Sequence, residues 1–331
     1  MIPENGKIRA AVIGVGYLGK FHASKYRKME GVELVGVADI DAGRAGEIAA
    51  ELGTRAYADY RELIGKVDAA SIVVPTSDHF EISRAFLEND VDLLVEKPFT
   101  TTLEEADELI QISKSRGLLL QVGHLERYNP AVVALRDIIK QPLFIESHRL
   151  AIFKPRATDV SVVLDLMIHD IDIIFNFVKS ELSAIHASGI PVITENVDIA
   201  NARLEFESGC VANVTASRVS MKDERKLRLF QQDAYVAIDF ANHKATIIHK
   251  KPNSNDGLIP GMEIETRTFP KGDALDEELK SFIDAVRNRT RPSVTGQMGR
   301  DALKAALDVM SQIQKNQADI MRRGNHETKT R

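Results

Sequence analysis

The stretch Val12-Ile13-Gly14-Val15-Gly16-Tyr17-Leu18-Gly19 decides the fold of this chain. Its pattern is a buried strand, a G-x-G-x-x-G turn and a helix that begins near Leu18. The three glycines allow a tight turn, a bare backbone that a pyrophosphate can approach, and close packing of helix on strand. The helix N-terminus adds N–H groups and the positive end of its dipole. The stretch therefore predicts a dinucleotide-binding turn, with cofactor contacts at Gly14, Gly16, Tyr17, Leu18 and Gly19.

A second apolar run, residues 34–38, ends in Asp39 at the spacing expected for the acidic residue that binds the adenosine ribose. Because a carboxylate repels a ribose phosphate, Asp39 favours NAD over NADP. The alternative is an ordinary turn aspartate at a strand end, as Asp41 can be. Since strand, glycines, helix and acid follow one another in the expected order, we predict that NAD is the cofactor and that Asp39 and Ile40 contact it.

Composition limits the partner and the compartment. With 331 residues, 44% of them hydrophobic, the chain is long enough for about two domains. A net charge of -5 without long charged blocks, and no tryptophan, favour a small-molecule substrate over nucleic acid. The single cysteine, Cys210, fits a reducing compartment, and neither a signal core nor a membrane-spanning apolar run is present. We therefore predict a cytoplasmic protein with no membrane partner.

Two periodicities divide the chain. Up to about residue 122, near-continuously apolar runs alternate with amphipathic helical patterns, which is typical of parallel strands covered on both faces. From residue 144 to 269, apolar and polar residues alternate as in antiparallel strands with one exposed face. The predicted fold class is α/β. An N-terminal doubly wound parallel (Rossmann) sheet over residues 1–123 binds NAD, and a C-terminal α+β domain over 124–331 has an open, mostly antiparallel sheet and a polar tail at 322–331.

Two clusters outside the glycine turn can carry chemistry. Glu96-Lys97-Pro98 ends the fourth predicted strand, at the sheet edge where such folds bind ligands, so Lys97 can steer a reacting hydroxyl or carbonyl. The alternative is a surface lysine at a strand corner. On a regular helix, Asp165, His169 and Asp172 share one face and can hold an imidazole for proton transfer. An ordinary polar helix face is the alternative, and no metal site is predicted because cysteine or further histidine ligands are lacking.

Together these motifs resemble the glucose-fructose oxidoreductase, inositol dehydrogenase and MocA family, abbreviated Gfo/Idh/MocA. The likeness covers nearly the whole chain, and the ordered set of motifs is more specific than any one of them. The set comprises the glycine turn, Asp39, Val74-Pro75-Thr76 with His79, Glu96-Lys97-Pro98, Arg127-Tyr128-Asn129-Pro130 and the Asp165 to His169 spacing.

The resemblance implies a sugar or cyclitol oxidoreductase with a nicotinamide cofactor. It implies that Lys97 and His169 flank the reacting carbinol and that Asp165 holds the substrate or orients the base. It also implies a cis Lys97-Pro98 peptide and a homodimer or homotetramer packed sheet to sheet. One departure is Ser161-Val162-Val163, where many members have a glycine pair, so the substrate loop must differ. Further cofactor contacts implied by the family are Val74, Pro75, Thr76, His79, Glu96 and Lys97.

Residues 127–131 and 163–172 resemble the branch of the family that oxidises the 3-hydroxyl of UDP-N-acetylglucosamine or related nucleotide sugars. Cationic side chains before the predicted helix can bind a diphosphate, although solvated surface charge is the alternative interpretation. Three other functions stay open: an inositol or simple polyol dehydrogenase, a reductase of another unsaturated substrate, and a non-catalytic NAD-binding sensor. The predicted substrate contacts are Arg127, Tyr128, Asn129, Arg149, Lys154, Arg156 and Asp172.

Overall fold

A computed structural model describes residues 6–154, 160–250 and 261–327, with side chains described as far as residue 319. The chain forms two compact units. The first unit comprises Met1–Tyr128 with Asp273–Leu303, and the second comprises Asn129–Gly272 with Lys304–Arg331. The strands are β1 (Ile8–Ile13), β2 (Val32–Ala38), β3 (Arg55–Tyr57), β4 (Ala69–Ile72), β5 (Asp92–Glu96), β6 (Leu120–Gly123), β7 (Phe144–Leu150), β8 (Leu182–Ile190), β9 (Ile199–Phe206), β10 (Val211–Ser217), β11 (Glu224–Phe230), β12 (Ala234–Asp239), β13 (Lys244–Lys250) and β14 (Met262–Thr268).

The helices follow the amphipathic patterns, with ends fixed by capping residues. Thr102 and Glu105 form a reciprocal capping box at the start of α4, and Gly117 ends that helix in the left-handed conformation. Asp41 caps α2 through the backbone N–H of Arg44. The helices are α1 (Gly19–Lys28), α2 (Ala42–Leu52), α3 (Thr76–Leu87), α4 (Leu103–Arg116), α5 (Pro130–Leu135), α6 (Ile168–Val178), α7 (Ala274–Asn288) and α8 (Gly296–Glu327).

The first unit is a doubly wound parallel sheet with strand order β3-β2-β1-β4-β5-β6, which confirms the predicted fold class. Helices cover both faces, because each face has its own apolar core. Phe86 of α3 and Leu109 of α4 belong to one core, and Tyr26 of α1 belongs to the other. The sequence pattern missed β3, since this strand has only three residues and two of them are exposed.

Helix α7 belongs to the first unit, although the sequence pattern placed every residue after 123 in the second domain. The physical reason is its apolar stripe, in which Leu275, Leu279 and Phe282 join the same core as Tyr26. Arg289, just after the helix, also ion-pairs with Asp92 at the start of β5. Amphipathic periodicity shows that a helix buries one face but not which sheet it buries against.

The second unit contains an eight-stranded sheet with strand order β14-β13-β12-β11-β7-β10-β9-β8. Neighbouring strands run antiparallel except β7 and β10, which pair in parallel, so the mostly antiparallel prediction is confirmed. In β7 buried and half-exposed residues alternate, with one side of the strand in the core. Among the described residues, no helix is both long enough and apolar enough to cross a bilayer.

Candidate active site

The glycine turn after β1 has the backbone shape that its sequence predicts. Gly14 has φ +85°, and an added Cβ would lie 2.5 Å from the carbonyl oxygen of Val73. At Gly19 an added Cβ would lie 1.8 Å from the oxygen of Gly14, so the helix can start there only without a side chain. At Gly16 a Cβ would meet no protein atom within 4 Å. The turn therefore leaves room for a ligand at Gly16, whereas the other two glycines serve the packing of the protein itself.

Asp39 lies at the end of β2 and is held in place from two sides. Its Oδ2 accepts the backbone N–H of Val15 at 2.9 Å, and its Oδ1 accepts that of Asp41 at 3.0 Å. The guanidinium of Arg44 lies 3.3 Å from Oδ2. Only 8% of the residue is exposed. The carboxylate is thus pre-oriented beside the turn, and it retains acceptor capacity for ribose hydroxyls.

A cavity of about 750 Å³ opens beside this turn, at the carboxyl ends of β1, β2 and β4. Its size lies in the range of nucleotide-binding clefts. An open backbone at Gly16, an oriented carboxylate and an apolar wall match the phosphates, ribose and base of NAD. Its walls include the predicted contacts Gly14, Gly16, Asp39, Ile40, Val74 and Pro75.

Sequence reasoning missed part of the cavity wall. Arg44 at the start of α2, and Ser77, Asp78 and Glu81 of α3, also line it. Polar residues in the first turns of a helix are common, so only their place at the edge of the sheet marks them as candidate ligands. The predicted contact Tyr17 is 73% exposed and lines a second, shallower cavity with Lys20.

His79 does not line the large cavity; its side chain lies under the two loops that follow β4 and β5. Its Nε2 is 2.9 Å from the carbonyl oxygen of Val74, and its Nδ1 is 3.0 Å from that of Pro98. Burial lowers the pKa of His79, despite these hydrogen bonds and the charge of Glu96. Its observed contacts therefore join the two loops, and direct contact with the cofactor stays a prediction, as it does for Thr76, the first residue of α3.

Glu96-Lys97-Pro98 leaves β5 through a cis Lys97–Pro98 peptide, as predicted. The Glu96 carboxylate turns inward, where Oε1 lies 3.3 Å from Nε2 of His22 and Oε2 accepts the backbone N–H of Lys97 at 3.2 Å. Burial acts to raise the pKa of Glu96, but the contacts with His22 and Lys97 outweigh it and hold that pKa below its usual value. A buried carboxylate therefore accepts a hydrogen bond from the backbone of the candidate catalytic lysine.

In the second unit, the helix that carries the acidic and histidine cluster is irregular. A π-helical turn spans Val163–Met167 and runs directly into α6. Asp165 lies in the π turn, while His169 and Asp172 lie in the regular helix, so the predicted common face of a regular α-helix does not apply to all three. Asp172 is buried, with 1% exposure. π turns recur at functional sites, and the sequence carries no signal for this one.

The predicted substrate cations have different environments. Arg149 of β7 is buried and makes a bidentate ion pair with Asp170 of α6, at 2.7 and 3.2 Å. Its guanidinium therefore ties the sheet to the helix, and contact with a diphosphate stays a prediction. Lys154 is exposed. Arg156 lies outside the described residues.

Arg127-Tyr128-Asn129 is buried at the point where the chain leaves the first unit. Arg127 donates to the sulfur of Met298 at 3.4 Å, and Tyr128 donates to Ser281 at 3.4 Å. Burial raises the pKa of Tyr128 to about 12. Asn129 caps α5 through the N–H of Ala131. These contacts hold the motif inside the protein, and its contact with substrate stays a prediction.

Comparisons with known proteins agree with this geometry. A family model described as GFO_IDH_MocA, oxidoreductase family, NAD-binding Rossmann fold, matches residues 8–124. A second, the GFO/IDH/MocA C-terminal domain, matches residues 144–236. Together they span both the glycine turn and most of the large sheet.

Individual relatives cover nearly the whole chain. The UDP-N-acetylglucosamine 3-dehydrogenase of Acidithiobacillus ferrooxidans is 42% identical over 303 residues, which is 91% of this chain and 96% of that protein. Its crystal structure superposes with a TM-score of 0.88 over 93% of this chain and 97% of that one, at 41% identity. The scyllo-inositol 2-dehydrogenase (NAD(+)) of Bacillus subtilis is 31% identical, over 87% of this chain and 89% of that protein.

Proposed function

The chain belongs to the GFO/IDH/MocA oxidoreductase family, and we propose that it oxidises the 3-hydroxyl of UDP-N-acetylglucosamine or a related UDP-N-acetylhexosamine with NAD. The single observation that supports this substrate is the 42% identity, over 91% of this chain, to a UDP-N-acetylglucosamine 3-dehydrogenase. The inositol dehydrogenase is more distant, at 31% identity. An inositol or simple polyol substrate is therefore the second candidate.

The proposed mechanism assigns roles to Lys97, His169 and Asp165. Lys97 and His169 would flank the sugar hydroxyl on the carbon that is oxidised. NAD, when bound, would supply the hydride acceptor for that carbon. His169 accepts the hydroxyl proton with help from Asp165. Lys97 stabilises the developing alkoxide with its positive charge. The products are the 3-keto sugar, NADH and a proton.

Three features of the first unit support this mechanism. The glycine turn and Asp39 line the cavity at the carboxyl edge of the sheet, and Lys97 follows β5 at the same edge. The buried carboxylate of Glu96 accepts the backbone N–H of Lys97. A non-catalytic NAD sensor would need neither a lysine at this edge nor a histidine on α6, which disfavours that alternative.

The substrate is tested by measuring NADH absorbance with a panel of UDP-sugars, free sugars and inositols. We expect NADH formation with UDP-N-acetylhexosamines and none with inositols or free N-acetylglucosamine. Turnover of inositols alone would show that the polyol alternative is correct. NADH binding without turnover of any compound would favour the sensor.

The catalytic lysine is tested with Lys97→Ala, and Lys114→Ala on the exposed face of α4 is the control. We expect Lys97→Ala to lower kcat by about 10²–10⁴-fold, the usual share of a positioned acid, base or charge. NAD affinity should change little, and the control should behave as wild type. Wild-type turnover by Lys97→Ala would remove this residue from the mechanism.

Lys154 gives a separate test of the nucleotide part of the substrate. We expect Lys154→Ala to raise KM for the UDP-sugar without lowering kcat, because the diphosphate is remote from the reacting carbon. An unchanged KM would exclude the lysine from the diphosphate site. A cytoplasmic location and a homodimer or homotetramer complete the proposal, and size-exclusion chromatography with light scattering measures the subunit number.

A further inference from the structure

The contacts of Glu96 define a buried site to which the mechanism above assigns no chemical role. His22 is fully buried on α1, and its Nε2 lies 3.3 Å from Oε1 of Glu96. The second carboxylate oxygen accepts the backbone N–H of Lys97 at 3.2 Å. Glu96 thus connects the helix of the glycine turn to the backbone of the candidate catalytic residue.

The surrounding backbone is shaped to admit this carboxylate. Gly123, at the end of β6, lies against it, and a Cβ at that position would be 2.9 Å from the carboxyl carbon of Glu96. The glycine does not have a positive φ, so its role here is space and not backbone conformation. A buried carboxylate is costly unless other groups hold it, so a site that makes room for one has a use for its charge or its hydrogen bonds.

Charges around Glu96 favour its ionised form. His22 approaches from α1 and Lys97 follows in the chain, and both lower the pKa of Glu96. His79 of α3 is close enough for the carboxylate to act on its pKa in turn. His124, also titratable, follows Gly123, the last residue of β6. A negative charge in this place favours the charged form of a neighbouring ammonium group.

We propose that His22 and Glu96 form a positioning pair for Lys97, in which His22 holds the carboxylate and the carboxylate holds Lys97 in place as a cation. The pair acts through Lys97 and touches neither substrate nor hydride. The inference rests on the proposed function, in which Lys97 must be positively charged when the alkoxide forms.

Three variants separate the charge from the packing. Glu96→Gln keeps an oxygen that can accept the Lys97 N–H but removes the charge, His22→Leu removes the donor, and His22→Gln keeps a donor of similar reach. The control is Tyr26→Phe on the same helix, which deletes a buried 2.8 Å hydrogen bond to Ser71. Thermal unfolding and NAD affinity are measured for each variant to show that it folds.

The decisive measurement is the pH dependence of kcat/KM. We expect the basic limb of the pH profile, where Lys97 loses its proton, to shift to lower pH by about one pH unit in Glu96→Gln and in His22→Leu. His22→Gln should restore most of the shift. Tyr26→Phe should lose thermal stability and keep the wild-type limb. If all four variants lose kcat while the basic limb of the pH profile stays at its wild-type position, the pair is merely structural and the proposal is overturned.

A second measurement does not depend on the sugar. Lysines are methylated reductively with ¹³C-formaldehyde, and the Lys97 signal is assigned by its absence in Lys97→Arg. Its NMR titration should move to lower pH in Glu96→Gln and stay in place in Tyr26→Phe. If no compound in the panel is oxidised, the proposed function fails, while this titration still decides the role of the pair. An unshifted titration in Glu96→Gln would refute the pair by itself.

Discussion

Alanine at Gly14 and alanine at Gly16 should damage this protein in different ways, although only one residue separates the two glycines. At Gly14 the new Cβ would lie 2.5 Å from the oxygen and 2.8 Å from the carbon of the Val73 carbonyl, in a residue with φ +85°. Both clashing atoms are backbone atoms of the neighbouring loop, so they cannot rotate away. At Gly16 the Cβ meets no protein atom within 4 Å. The first change should destabilise the fold, and the second should affect only the ligand.

The magnitudes follow from the two kinds of strain. A left-handed backbone costs an alanine about 1–2 kcal/mol, and overpacking adds about 1–3 kcal/mol, so Gly14→Ala should lose about 2–5 kcal/mol of unfolding free energy. For a domain of this size, that loss lowers Tm by about 4–20 °C. Gly16→Ala should keep the wild-type Tm. Its methyl group would block the approach of the pyrophosphate, and NAD should bind about 10–100-fold more weakly.

The assay is thermal unfolding of both variants without cofactor, followed by NADH titration of those that fold. Wild-type NADH affinity in Gly16→Ala would show that the pyrophosphate does not lie at this turn. A wild-type Tm in Gly14→Ala would show that the loop of Val73 yields at little cost, and the steric argument would then be wrong.

Three further predictions concern carboxylates. Asp39→Asn should weaken NAD binding about tenfold and reduce the preference for NAD over NADP, because the charge that repels a 2′-phosphate is gone. Fluorescence titration with both reduced cofactors measures these affinities, and an unchanged preference would exclude Asp39 from the ribose site. Asp170→Asn should lower the unfolding free energy in urea by about 3–5 kcal/mol, since it removes the anion from the buried pair with Arg149; a loss below about 1 kcal/mol would mean that the pair is dispensable. Burial acts to raise the pKa of Asp198, but the backbone N–H groups of residues 192–194 outweigh it and lower that pKa to about 2. Because the folded pKa is below the unfolded one, this stabilisation is complete above about pH 4 and is lost as the pH falls towards 2. The stabilities of wild type and Asp198→Asn should therefore converge over that range. A difference in stability that does not change over the range would mean that the carboxylate is unimportant.

Much of the fold was predictable from the sequence because its signals are local. Buried parallel strands are continuous apolar runs, and the eight-stranded sheet alternates, so both sheets follow from periodicity. The places that failed are those where a local pattern is weak or ambiguous. Strand β3 has no apolar run, and α7 has a clear apolar face whose partner lies far away in sequence.

The residues of the candidate site also fall into those that the sequence predicted and those that it did not. Gly14, Gly16 and Asp39 were predictable because the phosphate turn and ribose acid occur at fixed spacings along one βαβ unit. His22 was not singled out, since a histidine in a helix carries no spacing signal, and its contact with Glu96 spans residues far apart in the chain. Contact of Arg149 with a diphosphate stays a prediction, and the sequence carried no signal for its ion pair with Asp170 in the interior.

The sequence by itself therefore determined the two kinds of sheet, the glycine turn with Asp39 at the neighbouring strand end, and the lysine at the end of β5, because each depends on residues within a few turns or strands of one another. Only the tertiary structure decided which sheet α7 covers, that the helix carrying Asp165 begins with a π turn, and that His22 lies against the buried carboxylate of Glu96. The physical reason is that burial and charge pairing are fixed by the atoms that meet after the chain has folded, and those atoms come from segments whose separation in sequence carries no pattern.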